Sequence, residues 1–271
     1  MLLAINANNT NVKFAVFDGA GAVEEWRIRT DPGRTGDEYA VWLTQLMELK
    51  GMKPGDITGA AIACVVPQTL FDLRLLCQRY FGQDPVVVGD PGVTLGIEVA
   101  IERPQDVGAD RLCNAVGAHR LFPEPSIVID FGTATTFDVV DDVGNYCGGV
   151  IAPGINLGLE ALHTATAKLP RIVVARPNKV IGTDTLSAMQ SGVYWGYVGL
   201  IEGLVQRIQI EWGRPMLVIS TGGLAPLFAD VTKVIKHLAP DVTMRGLAEI
   251  YRRNRAGAKP AGRRSKRVAK A

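Results

Sequence analysis

The chain has 271 residues, 47% of them hydrophobic, and a formal net charge of +2. That is enough apolar material for one large domain or two modest ones with real cores, and it excludes a disordered body. No apolar run reaches bilayer length, and the start MLLAINANNT has no basic stretch ahead of an apolar one. Neither a membrane span nor a secretory leader is therefore expected, and the expected compartment is the cytoplasm.

The charge is unevenly spread: from Arg252 onward the chain carries Lys and Arg but no Asp or Glu, so the body is acidic. Residues 251–271 read as a basic, disordered extension, because GAKPAGRRSKRVAK lacks apolar periodicity. No aromatic residue follows Tyr251 to stack on bases, so a nucleic-acid partner is not expected. Cys64, Cys77, Cys113 and Cys147 form no C-x-x-C pair and read as free thiols. His119, His163 and His237 are equally scattered, which gives a histidine metal site no support.

In chain order, Leu2–Ile5, Asn11–Phe17 and Ala22–Ile28 read as three strands joined by short turns. Helical spacing runs from Asp37 to Lys50, with Gly51 as a stop. A buried strand is expected over Ala60–Val66, a helix over Pro67–Phe81 and a short strand over Val86–Gly89. After a segment rich in Pro and Gly, a helix passes through Asn114, Val116 and His119. The second half opens with strands at Ser126–Asp130, Ala134–Val140 and Tyr146–Ile151, then a helix from Asn156 to Leu169. A polar loop leads into a long helix from Thr185 to about Trp212. Strands at Met216–Ser220 and Val231–Ile235 and a helix over Met244–Arg253 complete the body.

The β-β-β-α pattern therefore occurs twice. LLAINANNTNVKFAVFDGAG and IVIDFGTATTFDVVDDVGN both place a small polar turn between two strands, with Asn6 where the second copy has Asp130 and Asn8 where it has Gly132. Such recurrence points to duplication, with a ligand held between the copies. The expected fold is α/β: a duplicated actin/ribonuclease H-like fold of two mixed-sheet halves, residues 1–118 and 119–250, with a nucleotide cleft between them. This arrangement resembles the actin, hexokinase and Hsp70 superfamily.

Several residues at these turns can carry chemistry. Gly132 lets backbone approach a ligand, and Thr133, Thr135 and Thr136 offer hydroxyls and N–H groups to phosphate oxygens. Asp130, ending a strand, is placed to face a cation or its water shell. Gly108-Ala109-Asp110-Arg111 stands at a helix start, where Asp110 is either a structural cap or a general base facing the cleft. Arg111 either holds an anionic group of the substrate or pairs with an acid. Thr185, in IGTDT, is either a helix cap or a substrate contact. Thr221-Gly222-Gly223 puts N–H groups at a strand-to-helix turn, as a nucleotide requires.

Asn-Thr in the first hairpin, GADR, DFGTATTFD, IGTDT and TGGLA occur in the order seen in type III pantothenate kinases, which the chain resembles up to about Asn254. The resemblance implies ATP-dependent phosphorylation of pantothenate, the first step toward coenzyme A, by a cytoplasmic homodimer. It implies Asp110 as the proton acceptor and Gly108, Ala109, Asp110, Arg111 and Thr185 as pantothenate contacts. ATP contacts would be Asn6, Ala7, Asn8, Asn9, Thr10, Asn11, Val12, Lys13 and Thr133, with Mg²⁺ alongside. Asp130 would bind a monovalent cation, potassium or ammonium.

Two departures stand out. The family's first hairpin normally reads Asp-x-Gly-Asn-Thr, whereas here Asn6 and Asn8 replace the Asp and the Gly, and Ile101 stands where many members have a tyrosine. Asn6 keeps an oxygen ligand but loses its charge. This motivates an alternative reading as a catalytically impaired binding or regulatory paralogue; a third is another small-molecule kinase of the superfamily.

Overall fold

The computed structural model describes residues 1–19, 21–165 and 169–256. In the first half, β1 (Leu2–Ala7), β2 (Asn11–Asp18) and β3 (Gly21–Arg29) form an antiparallel meander. Helix α1 (Gly36–Glu48) follows, then β4 (Gly59–Cys64), α2 (Pro67–Phe81) and β5 (Val86–Val87). Helix α3 (Ala109–Leu121) leads into the second meander of β6 (Ser126–Phe131), β7 (Ala134–Val140) and β8 (Tyr146–Pro153). Then come α4 (Ile155–Thr164), α5 (Thr185–Trp212), β9 (Leu217–Gly222), α6 (Ala225–Ala229), β10 (His237–Leu238) and α7 (Val242–Ala256).

The duplication is visible in the sheets. The first has the order β3-β2-β1-β4-β5 and the second, read from its meander edge, β8-β7-β6-β9-β10. In each, the meander pairs are antiparallel, and the crossover strands join the meander's first strand in parallel. This is the duplicated mixed-sheet α/β architecture expected from the repeated pattern.

Side-chain alternation along the strands sorts the layers. Leu3, Ile5, Phe14 and Ile62 face Tyr39, Leu43, Leu73 and Leu76 of α1 and α2 on one side of the first sheet. Ala4, Ala15, Ala61 and Ala63 face the other side, where they meet Leu112, Val116, Met244, Leu247 and Ile250 of α3 and α7. Helices α3 and α7 also touch the second sheet through Ala115, Ala118 and Val242, against Val128, Val140 and Ile219. They form a helical layer between the sheets, and α5 and α6 cover the far face of the second.

The two middle helices approach backbone to backbone. A Cβ at Gly117 would lie 2.1 Å from the Val242 carbonyl oxygen, and one at Gly246 would lie 1.8 Å from that of Cys113. Helix α7, the last of the described elements, is thereby wedged against β1 and β4, the first sheet's central strands.

Three expectations shift. Residues 231–235 are not a strand: the backbone N–H groups of Val231 and Thr232 bond the Phe228 carbonyl, closing α6, and the parallel pairing with β9 starts only at His237. Val231, Val234 and Ile235 pack on the second core from an irregular connection instead. The helix expected to reach Leu169 ends at Thr164, and residues 166–168 lie outside the described residues. Residues 251–256, expected as the start of a disordered tail, instead extend helix α7, where the Asn254 amide bonds the Thr94 backbone; the remainder of the tail, 257–271, is likewise outside the described residues. Among the described residues no helix is long and apolar enough to cross a membrane.

Candidate active site

The two hairpin turns meet. Thr10, at the tip between β1 and β2, lies 2.8 Å from Thr133, at the tip between β6 and β7, hydroxyl oxygen to hydroxyl oxygen. Each tip is shaped by its own contacts. The Asn8 N–H bonds the Asn11 carbonyl at 3.0 Å, and the Asn8 carbonyl accepts the Thr30 hydroxyl at 2.5 Å. In the second tip, the Gly132 N–H bonds the Ala134 carbonyl and the Gly154 N–H bonds that of Thr133, both at 3.1 Å. Only glycine fits at 154, where a Cβ would sit 2.2 Å from the Thr133 carbonyl oxygen.

Within the first hairpin the expected ATP residues divide. Asn9 and Thr10 are exposed at the tip, while the Ala7 and Val12 side chains belong to the core and leave only their backbone for a ligand. Asn6 is 3% exposed, and the Oδ1 atoms of Asn6 and Asn8 are both buried without a hydrogen-bond partner. Lys13 stands opposite Asn6 in the β1–β2 ladder, and Asn11 opens β2.

The acids gather close by. Gly108 caps α3, so Asp110 falls in its first turn, and its Oδ1 accepts the Arg111 N–H at 2.8 Å. Burial raises the Asp110 carboxyl above its ordinary range, and the Arg111 backbone N–H and guanidinium pull it part of the way back. Asp130, at the end of β6, is raised by burial too; the Asn114 amide and Lys13 lower it, while Asp110 pushes it up. Lys13 and Asp110 therefore both act on Asp130, which ties the first hairpin, the start of α3 and the second hairpin into one electrostatic site.

Arg111 resolves toward pairing with an acid. Its Nε donates to Asp138 Oδ1 at 2.6 Å, its guanidinium carbon lies 5.5 Å from the Tyr146 ring centre, and Asp138 is fully buried. Burial pushes the Asp138 carboxyl up to about 7, against the opposing pull of Arg111. Asp138 was not singled out from the sequence, although an acid at a core-facing position of an apolar strand is itself a signal. Asn114 was placed only as part of a helix, yet it lies one turn beyond Asp110 on the same helix face.

Thr185 resolves differently. It is exposed in the first turn of α5, whose cap is Asp184 with Ser187 in a reciprocal capping box. Among the described residues no hydrogen bond ties Thr185 to Asp110 or to the hairpins. The Thr221-Gly222 turn does adjoin the site, since Thr221 pairs in register with Asp130 and Gly222 with Phe131. Ile101 packs near Gly148, whose Cβ would lie 3.7 Å from the Ile101 Cγ2. A cavity of about 640 Å³ lies elsewhere, at the opposite end of β1, lined by Met1, Phe17, Arg120 and Tyr251 among others, and takes no part in this site.

Two hydroxyl-bearing tips, a half-buried carboxylate at a helix start and a second one at a strand end suit phosphoryl transfer to an acceptor hydroxyl. Comparison with known proteins agrees. A family model described as type III pantothenate kinase matches residues 2–207. The type III pantothenate kinase of Paramagnetospirillum magneticum is 62% identical, covering 94% of this chain and 98% of its own length. That of Rhodospirillum rubrum is 61% identical over 94% of this chain and 99% of its own. Among solved structures, a Sinorhizobium meliloti protein assigned as a 2-dehydro-3-deoxygalactonokinase superposes with a TM-score of 0.64 at 12% identity, covering 96% of this chain and 98% of that one. This last likeness is one of fold.

Proposed function

The chain belongs to the type III pantothenate kinase family, and on that premise we propose how it transfers the γ-phosphoryl group of ATP to the primary hydroxyl of pantothenate. The observation that carries the reading is the meeting of the hairpin tips at Thr10 and Thr133 beside the coupled carboxylates Asp110 and Asp130. Phosphate oxygens lie along the backbone N–H groups and hydroxyls of residues 6–13 and Thr133, with Lys13 supplying positive charge. Gly108 to Arg111 hold the acceptor at the start of α3. Asp110 takes the hydroxyl proton as the oxygen attacks phosphorus in line and ADP leaves. Its raised affinity for a proton suits a base. Thr185 is assigned a second substrate contact on family resemblance alone.

The residues also suit the two cations this chemistry calls for. Asn6 and Asn8 present buried carbonyl oxygens without partners, the donor type a hard cation or its water shell takes. Mg²⁺ accompanying ATP would be held on that side and would neutralise charge building on the phosphates. Asp130 forms no ion pair with Lys or Arg within contact distance among the described residues, and a half-buried carboxylate held by a neutral amide suits a monovalent cation. Asn6 brings no charge, so metal and phosphate are held by neutral donors and Lys13.

The enzyme works in the cytoplasm as a homodimer. Helix α4 buries only Ile155 of its ten residues, and Leu157, together with Val173 and Ile181 in the following loop, is exposed, as apolar surface awaiting a second copy would be. Sedimentation of the chain and of Leu157→Glu tests this; a monomer in both overturns it. The activity is tested by ADP release with and without pantothenate at saturating Mg-ATP and potassium, in the unaltered chain and in Asn6→Asp. Pantothenate-dependent turnover in the unaltered chain supports the kinase with Asn6 tolerated, and ADP release indifferent to pantothenate in both counts against it.

A further inference from the structure

Among the described residues, Asp130 is gripped from one side only. Its Oδ2 accepts the Asn114 side-chain N–H at 3.2 Å, and the Oδ1 of that same amide accepts the Thr243 hydroxyl at 2.6 Å. Asn114 is 0% exposed and Thr243 9% exposed, so the bond between them lies in the interior, and the one to Asp130 lies at its edge. The chain of donors fixes the amide: a carboxylate only accepts, so the Asn114 nitrogen faces Asp130 and its oxygen must take a donor behind it, which Thr243 provides. The other oxygen of Asp130 points away toward the hairpin tip, where a Cβ on Gly132 would lie 3.9 Å from Oδ1.

Three elements meet in this relay: α7 supplies Thr243, α3 supplies Asn114 and β6 supplies Asp130. It exists because α3 and α7 touch through Gly117 and Gly246. Thr243 also lies beyond residue 207, where the match to the family model ends.

We infer that Asn114 and Thr243 are positioning residues for the cation site: they hold Asp130 by Oδ2 and so present Oδ1 to a monovalent cation beside the phosphate-binding tips. The inference rests on the reading of Asp130 as a cation ligand. Its physical basis is rotational. A carboxylate held by a single amide keeps one orientation only while that amide is itself held, and a ligand misplaced by about 1 Å is costly in a coordination shell. Helix α7 thereby sets the geometry of a ligand more than a hundred residues earlier.

The test compares the full chain with Thr243→Val, Thr243→Ser and Asn114→Leu. Potassium is titrated at saturating Mg-ATP and pantothenate, and the potassium-dependent rise in melting temperature is measured separately without turnover. The half-saturating potassium concentration should rise about tenfold in Thr243→Val and further in Asn114→Leu, the range seen when partners behind metal ligands are lost. Thr243→Ser, which keeps the hydroxyl, should match the unaltered chain, and the KM for pantothenate should stay within about twofold. A magnesium titration should not move. A lowered melting temperature in Thr243→Val with an unchanged potassium midpoint would reduce the relay to packing and overturn the inference. Should Asn114→Leu fail to fold, the nearly isosteric Thr243→Val decides alone. If the unaltered chain responds to potassium in neither assay, the cation reading of Asp130 falls, and the inference falls with it.

Discussion

Thr10 and Thr133 lie 123 positions apart in the chain, yet their hydroxyl oxygens stand 2.8 Å from one another. Each belongs to the tip of one copy of the duplicated meander, so this single contact marks where the copies converge. The pair is exposed, and its energetic worth to folding is correspondingly small. On the proposed reading its value lies in placing two donors where one phosphate can engage both. Replacing Thr133 with Val should raise the KM for ATP by about three- to tenfold and leave the urea midpoint nearly unchanged, since one neutral hydrogen bond contributes about 0.5–1.5 kcal/mol. Steady-state kinetics with parallel urea melts separate the two effects, and equal loss in both would assign the contact to folding.

Asp110 carries a pH signature. Burial holds its carboxyl above the ordinary range. A general base works unprotonated, so kcat/KM should fall as pH drops through this raised value, at a higher pH than an ordinary aspartate would give. Asp110→Asn should lower kcat by roughly 10²–10⁴-fold and abolish that limb of the profile. A limb that persists in the variant would assign the proton transfer to another group.

Asp138 and Arg111 set up a test of sign. By charge alone, removing the Asp138 anion frees the guanidinium to attract the pantothenate carboxylate, and binding should tighten. If Asp138 instead serves to aim Arg111, through its 2.6 Å bond beneath the Tyr146 ring, binding should weaken. We expect Asp138→Asn to raise the KM for pantothenate about tenfold or more and to cost roughly 3–5 kcal/mol of stability, as breaking a buried ion pair does. Isothermal calorimetry on the folded variant reads the direction; tighter pantothenate binding would refute the aiming role.

Gly246 is a packing requirement of the middle layer. A methyl group there would lie 1.8 Å from the Cys113 carbonyl oxygen and force α7 away from α3. Gly246→Ala should destabilise the protein by about 1–3 kcal/mol in urea unfolding. It should also weaken potassium activation, because the separation carries Thr243 away from Asn114. Ala at Gly158, where a Cβ meets nothing within 4 Å, is the control.

Much of this protein was legible in its sequence because the relevant forces are local. Alternation of apolar residues, glycine stops and small polar turns dictated two meanders, their helices and their duplication, and the turn residues pointed to phosphate. The error at residues 231–235 was local in kind as well: a short run rich in β-branched residues cannot say whether its backbone groups will close a helix or join a sheet. What only the tertiary structure decided are contacts between residues far apart in the chain. Arg111 had two possible partners until β7 brought Asp138 beneath it, and nothing near Asp130 in sequence indicated Asn114 or Thr243. The pairing of Asn114 with Thr243 follows from two small-residue faces letting α3 and α7 pack together between the sheets. A buried polar group takes whichever partner the packing delivers, and a linear pattern of residue types does not encode that choice.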